Sequence, residues 1–205
     1  MTSTRLGRRA LLSAMALAAT IATTGLSTGA RAAELDIATI NAMDQATFVE
    51  TFGGIFEKSP WVAEQGWSAR PFDSIDDLHG ELYAVVSSAP RDAQVKFLNQ
   101  HPELAGKEAQ AGTMTANSVA EQASAGLNAL TPEEMQTLAT GNAAYREKFG
   151  FPFMIFVRGH TKEGIFFHLD RRQQTDPSTD EELHNAMMQV WGITRSRVQR
   201  VVSGG

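Results

Sequence analysis

Apolar residues recur along this chain mostly at helical spacing. From Ser74, SIDDLHGELYAVVSSA sets Ile75, Leu78, Leu82, Val85 and Val86 three and four residues apart, behind a serine suited to an N-cap with Asp77 three residues on. TPEEMQTLATGNAAYREKFG repeats the signal: Thr131 as N-cap, Pro132 at the first helical position, Glu134 at the third and Gly150 as the stop. STDEELHNAMMQVWGITRSRVQRVV is predicted to open on a capping box of Thr179 and Glu182. Its apolar face is Leu183, Ala186, Met187, Val190, Ile193 and Val198. Shorter helices are predicted over 44–52, 60–69, 91–99, 118–129 and 162–172.

GFPFMIFVRG breaks this pattern. It is a continuous apolar run of aromatic and branched residues, with strand propensity but no second strand to pair with. The prediction is an all-α, single-domain multi-helix bundle with a short extended apolar connector near 151–157. Backbone amides and carbonyls in such a connector need partners from elsewhere, and an amide-rich ligand is one.

The first residues follow another logic. Arg5, Arg8 and Arg9 precede a mildly apolar run over 10–22, and Ala30-Arg31-Ala32 offers a small-x-small cleavage site, the layout of an export signal. The adjacent Arg8 and Arg9 fit the twin-arginine type, and thirteen apolar residues fall short of the ~20 needed to span a bilayer. Residues 1–32 are therefore expected to be a signal peptide. Residues 33–205 form the helical domain of an exported protein with no stable membrane insertion after cleavage. Of 18 basic residues the segment carries four, so the remainder holds 14 against 23 acidic ones, a formal charge of −9 that argues against nucleic acid or an anionic membrane as partner. The chain has no cysteine, which excludes disulfides and thiolate catalysis.

Common catalytic signatures are missing: no GxSxG, HExxH, phosphate-binding glycine loop or GxGxxG. His160 and His168 match no common metal spacing, and no metal site is predicted. His79 and His184 are expected on solvated helix faces. In HPELAGKEAQ the proline pushes His101 out of the α region and suits a first turn, so His101 is expected at a helix start, as a cap or as a catalytic group on a stiff mount. Glu121 is expected in the first turn of its helix, where the dipole alone favours an acid. Arg195 and Arg197 stand on the last helix, where Arg197 also reads as a complement to the opposite helix end.

Taken together, FGGIFEKSPWVAE, HPELAG, SVAEQASAGL, KFGFPFMIFVRG and ITRSRV stand in order over nearly the whole chain after the leader. In this the sequence resembles the 2-oxo-4-hydroxy-4-carboxy-5-ureidoimidazoline (OHCU) decarboxylases of the route from urate to allantoin. The resemblance implies an all-α, cofactor-independent, commonly dimeric enzyme, with upstream urate-pathway enzymes as the source of its small-molecule substrate. By position it implies that His101 is the catalytic acid/base, with Glu121 beside it and Arg197 holding the substrate carboxylate. Pro102, Ser118 and Gln122 would contact the substrate, and the backbone of Phe151, Phe153, Met154 and Ile155 would bind the imidazoline amides. The chemistry suits these residues. The ring carbonyl and imine accept the electrons left by carbon dioxide, arginine's fork matches a carboxylate, and histidine moves a proton near neutral pH.

Three features depart from the family pattern: Glu103 in place of the usual Asp, expected to serve a helix start; Thr175 where Asn is frequent; and export itself. Two other readings fit the residues: an exported module that binds ureide or purine-like ligands without catalysis, and a hydrolase of ureido or hydantoin rings, for which no nucleophile or metal set is evident.

Overall fold

The structure, a computed structural model, describes residues 34–204; the expected signal segment lies outside them. The helices are α1 (Ile37–Ala42), α2 (Gln45–Phe52), α3 (Trp61–Gly66), α4 (Ile75–Ser87), α5 (Arg91–Leu98), α6 (Lys107–Ala111), α7 (Ala116–Ser124), α8 (Pro132–Phe149), α9 (Lys162–Gln174) and α10 (Thr179–Val202). Two 3-10 turns, Trp67–Ala69 and Val157–Gly159, complete the pattern, and no strand occurs among the described residues. The all-α expectation holds. No helix among these residues is long and apolar enough to cross a membrane.

Seven helices begin on a side chain that accepts a backbone N–H: Asp36, Asp44, Ser74, Thr115, Thr131, Thr161 and Ser178. Each satisfies one of the donors a helix start leaves unpaired. Thr131 and Glu134 form the expected capping box, and Gly150 ends α8 in the left-handed region at φ 82. At α10 the box is Ser178 and Glu181, one residue earlier than expected. SerThrAspGluGlu satisfies the S/T-x-x-E rule in both registers, and tertiary contacts decide: Glu182 is fully buried and its carboxylate accepts from the Tyr145 hydroxyl.

The 24-residue α10, about 36 Å long, packs on α2, α4 and α8. Its predicted apolar face is buried throughout. Phe48 of α2 packs on Phe52 and stacks on Phe72, while Tyr145, Phe149, Phe151 and Phe153 cluster between α8 and the connector. His184 is exposed as expected. His79 is not: it is 1% exposed at the α4–α10 contact, its Nε2 is 2.9 Å from Thr194 Oγ1, and its ring packs edge-on against Trp191. The apolar stripe of α4 is wider than its aliphatic residues suggest, because α10 also covers the position beside Leu78.

From Phe151 to Phe156 the chain is neither helix nor paired strand, and residues 151–155 are buried. Arg172 of α9 holds this connector. Its Nη1 donates to the Met154 carbonyl at 2.6 Å, its guanidinium lies over the Phe153 ring, and Glu182 pairs with it. On the far side Gln189 accepts the Phe156 amide at 3.0 Å.

Candidate active site

His101 follows a helix rather than starting one. Its amide donates to Leu98 O at 3.0 Å, closing the last turn of α5, and Pro102 prevents the helix from continuing. The next helix, α6, begins six residues later at Lys107. The mount is nonetheless stiff. Arg146 of α8 donates to Asn99 Oδ1 and Glu103 Oε1, both at 2.6 Å, and so brackets the His101-Pro102 pair. Glu103 is thus half of an ion pair, not a helix-start acid. Asn142 Nδ2 donates to Leu104 O at 2.9 Å, and Gln122 Oε1 accepts the amide of Ala105, which sits at the uncommon φ of 48.

The imidazole packs edge-on against Phe97, and its Nδ1 is 3.3 Å from Leu98 O. That contact favours hydrogen on Nδ1 and leaves Nε2 as an acceptor, buried and without a protein partner. Burial pushes the imidazole down to about 4; the charge of Glu57 opposes this and that of Arg197 adds to it. His101 is therefore neutral at physiological pH.

Arg197 projects from α10 with 2% exposure. Its Nε and Nη2 donate to the two oxygens of Glu121 at 2.8 and 2.7 Å, a bidentate fork. Nη1 donates to Ile55 O and Glu57 Oε2, each at 3.1 Å, and Nη2 reaches Ser118 Oγ at 3.4 Å. Burial alone would lower its pKa, but the bonds and charges of Glu121 and Glu57 hold the guanidinium above its usual value. Glu121 lies at the sixth position of α7, past the first turn, because Thr115 caps that helix earlier than expected. Its partner is Arg197, with Arg200 Nη2 at 3.3 Å from the same carboxylate.

A small cleft opens over these groups. His101, Pro102, Ser118, Glu121, Gln122, Phe153, Met154, Ile155 and Arg197 line it, so nine of the ten residues singled out from the sequence come together. Phe151 does not. It is fully buried in the aromatic cluster beside Tyr145, two residues before Phe153, the first connector residue that lines the cleft. The sequence reading missed Leu104, Phe156, Val157 and Ile193 in the wall, and Glu57 behind it. Among the described residues the amides of Phe153, Met154 and Ile155 donate to no protein acceptor. No group of three or more His, Asp or Glu side chains converges on a metal position among those residues.

A family profile described as OHCU decarboxylase matches residues 41–199. The chain belongs to the OHCU decarboxylase family. Two proteins named as OHCU decarboxylases, from Mus musculus and Haloferax volcanii, are 40% and 39% identical to it over 164 and 165 residues. Each alignment covers 80% of this chain, and 91% and 95% of those proteins. The fold matches a crystal structure of (S)-allantoin synthase with TM-score 0.65 and 24% identity, over 82% of this chain and 54% of that one. It matches an OHCU decarboxylase crystallised in the presence of (S)-allantoin with TM-score 0.56 and 22% identity, over 70% and 91%. Within an OHCU decarboxylase frame, His101, Glu121 and Arg197 occupy one small cleft although they come from three distant parts of the chain.

Proposed function

We propose that the protein decarboxylates OHCU to (S)-allantoin in urate degradation, without a cofactor. The observation that carries the reading is His101 Nε2, a buried lone pair with no protein partner, on a residue that lines the same cleft as the Arg197–Glu121 pair. The family membership of the chain supports it.

In this reading the bond from the ring carbon to the carboxylate breaks and carbon dioxide leaves. The electron pair moves across the ring to the imine nitrogen, which takes a proton from water. The resulting enol becomes the ring carbonyl when its hydroxyl proton passes to His101 Nε2, and His101 returns a proton to the neighbouring carbon from one face, fixing one enantiomer. Arg197 stabilises the carboxylate and the charge that moves from it, while Glu121 holds the guanidinium in plane. Because protein acceptors occupy all five of its N–H groups, Arg197 must exchange a contact to bind the carboxylate directly. The free connector amides of Met154 and Ile155 would bind the imidazoline carbonyls. Ser118, Gln122 and Pro102 would shape the remaining wall.

The test is circular dichroism of allantoin formed from freshly generated OHCU, which decays unaided to racemic product. The expected result is a one-handed signal with the wild type and none with His101→Ala. Racemic product at the uncatalysed rate from the wild type would instead favour a ureide-binding module that releases no carbon dioxide.

Two further readings belong to the whole chain. Residues 1–32 act as a twin-arginine export signal, supported by Arg8-Arg9 before an apolar run and by Ala30-Arg31-Ala32. The exported domain forms a homodimer, as resemblance to the family suggests, and light scattering on the purified domain tests this by mass. A substrate as short-lived as OHCU then calls for upstream urate-oxidising enzymes in the same compartment.

A further inference from the structure

Glu57 ends the segment FGGIFE with its side chain wholly buried, and every contact it makes is with a donor. Thr115 Oγ1, which accepts the Ser118 amide as N-cap of α7, gives its own hydrogen to Glu57, 2.9 and 3.1 Å from the two oxygens. Ser118 Oγ donates to Glu57 Oε2 at 2.9 Å, and Arg197 Nη1 donates to the same oxygen at 3.1 Å.

A hydroxyl has one hydrogen and two lone pairs. With its hydrogen on Glu57 and one lone pair taking Arg197 Nη2, Ser118 has only a lone pair left to offer, and it lines the cleft. We propose that Glu57 is a specificity-determining positioning residue that makes Ser118 an obligate acceptor, so that the cleft selects ligands presenting an amide or ureido N–H there. Glu57 also ties Nη1, and with Glu121 on the other edge it fixes the plane of the Arg197 guanidinium. A ligand that placed a carbonyl against Ser118 would set lone pair against lone pair in a site where unpaired polar groups are costly. The inference rests on the reading of the cleft as a ureide site, and allantoin, which keeps the ureido group and ring amides but lacks the carboxylate, is the probe.

The experiment compares wild type, Glu57→Gln, Glu57→Asp, Ser118→Ala and the Glu57→Gln/Ser118→Ala double variant, by calorimetric titration with allantoin and by kcat and KM for carbon dioxide release. Glu57→Gln and Ser118→Ala should each weaken allantoin binding and raise KM by about tenfold, with smaller falls in kcat, and Glu57→Asp should recover part of the loss. Because allantoin carries no carboxylate for Arg197 to hold, Glu57 acts on its binding through Ser118, and the double variant should bind it no worse than the weaker single one. Binding by Glu57→Gln within about twofold of wild type, or losses that multiply in the double variant, would overturn the proposal. If Glu57→Gln does not fold, Ser118→Ala decides alone: a tenfold loss sustains the assignment and unchanged binding removes it. A wild type that binds allantoin without releasing carbon dioxide overturns the reaction but leaves Glu57 to the titration; one that does neither overturns both.

Discussion

His101 has a buried ring with an unpartnered Nε2 and a tautomer set by a backbone carbonyl. Replacing it with alanine should lower kcat/KM by about 10²–10⁴ while circular dichroism in the far ultraviolet stays unchanged, since the ring makes one side-chain hydrogen bond. Unaltered rates would remove it as the proton carrier. Its pKa, pushed by burial to about 4, has a consequence for the pH profile. The neutral base persists well below the 6.5 of a free imidazole, so the acid limb of kcat/KM should fall below pH 5, and a limb near 6.5 would show His101 to be solvated in the working enzyme. His101, Glu121 and Arg197 were legible only through ordered motifs, because no local spacing links residues so far apart in sequence. Glu57 was not legible: beside Lys58, in a stretch without helical period, it reads as surface, and α7 and α10 bury it from about 60 and 140 residues away. Gln122, expected against the ligand, also anchors the Ala105 amide, a tertiary contact that residue type does not reveal.

Among the elements, the connector is the least self-sufficient, since it owns no helical turn or ladder and takes its shape from Arg172 and Gln189. Arg172→Met would leave Glu182 buried with only Tyr145 and Asn185, and free the Met154 carbonyl. The expected loss is about 3–5 kcal/mol in urea unfolding, partly recovered by adding Glu182→Gln, because the cost lies mainly in an uncompensated buried charge. A loss below about 1 kcal/mol, or a double variant less stable than Arg172→Met, would show the pair to be dispensable. The long helices were legible because caps and apolar stripes agree, as at Thr131, Pro132 and Gly150. So were most of the shorter ones: α2, α5 and α9 fill the expected 44–52, 91–99 and 162–172, and α3 with its 3-10 turn fills 60–69. α1 and α6 were not, having six and five residues, too few for a period to show, and α7, expected over 118–129, starts two residues earlier behind Thr115 and ends at Ser124, three residues after Glu121. His101-Pro102 carries a signal valid for either end of a helix, and only the bond from the His101 amide to the Leu98 carbonyl distinguishes them.

For the molecule as a whole, two buried histidines, His79 and His101, are each held down to about 4, chiefly by burial. Their folded values lie below the unfolded 6.5, so their stability contribution is complete above pH 6.5 and is lost as the pH falls toward 4, by up to about 3 kcal/mol per residue. His79→Phe should flatten the dependence of the urea midpoint between pH 7 and 4.5 by roughly half, and an unchanged slope would exclude His79 as a source. Export is tested by fractionation: the wild-type chain should be found outside the cytoplasm, starting near residue 33, while Arg8→Lys/Arg9→Lys should stay inside. The connector also carries a liability that the folded state conceals. Phe153 to Val157, FMIFV, is a proline-free, uncharged, β-prone segment, the composition that stacks into intermolecular cross-β assemblies. The native chain shields it beneath α9 and α10, with Lys148 and Arg158 as charged flanks, so any condition that detaches Arg172 offers neighbouring molecules an unpaired edge. Heating should therefore end in irreversible aggregation, and the same backbone that is free to receive a small ureide is the first to recruit another copy when the helices part.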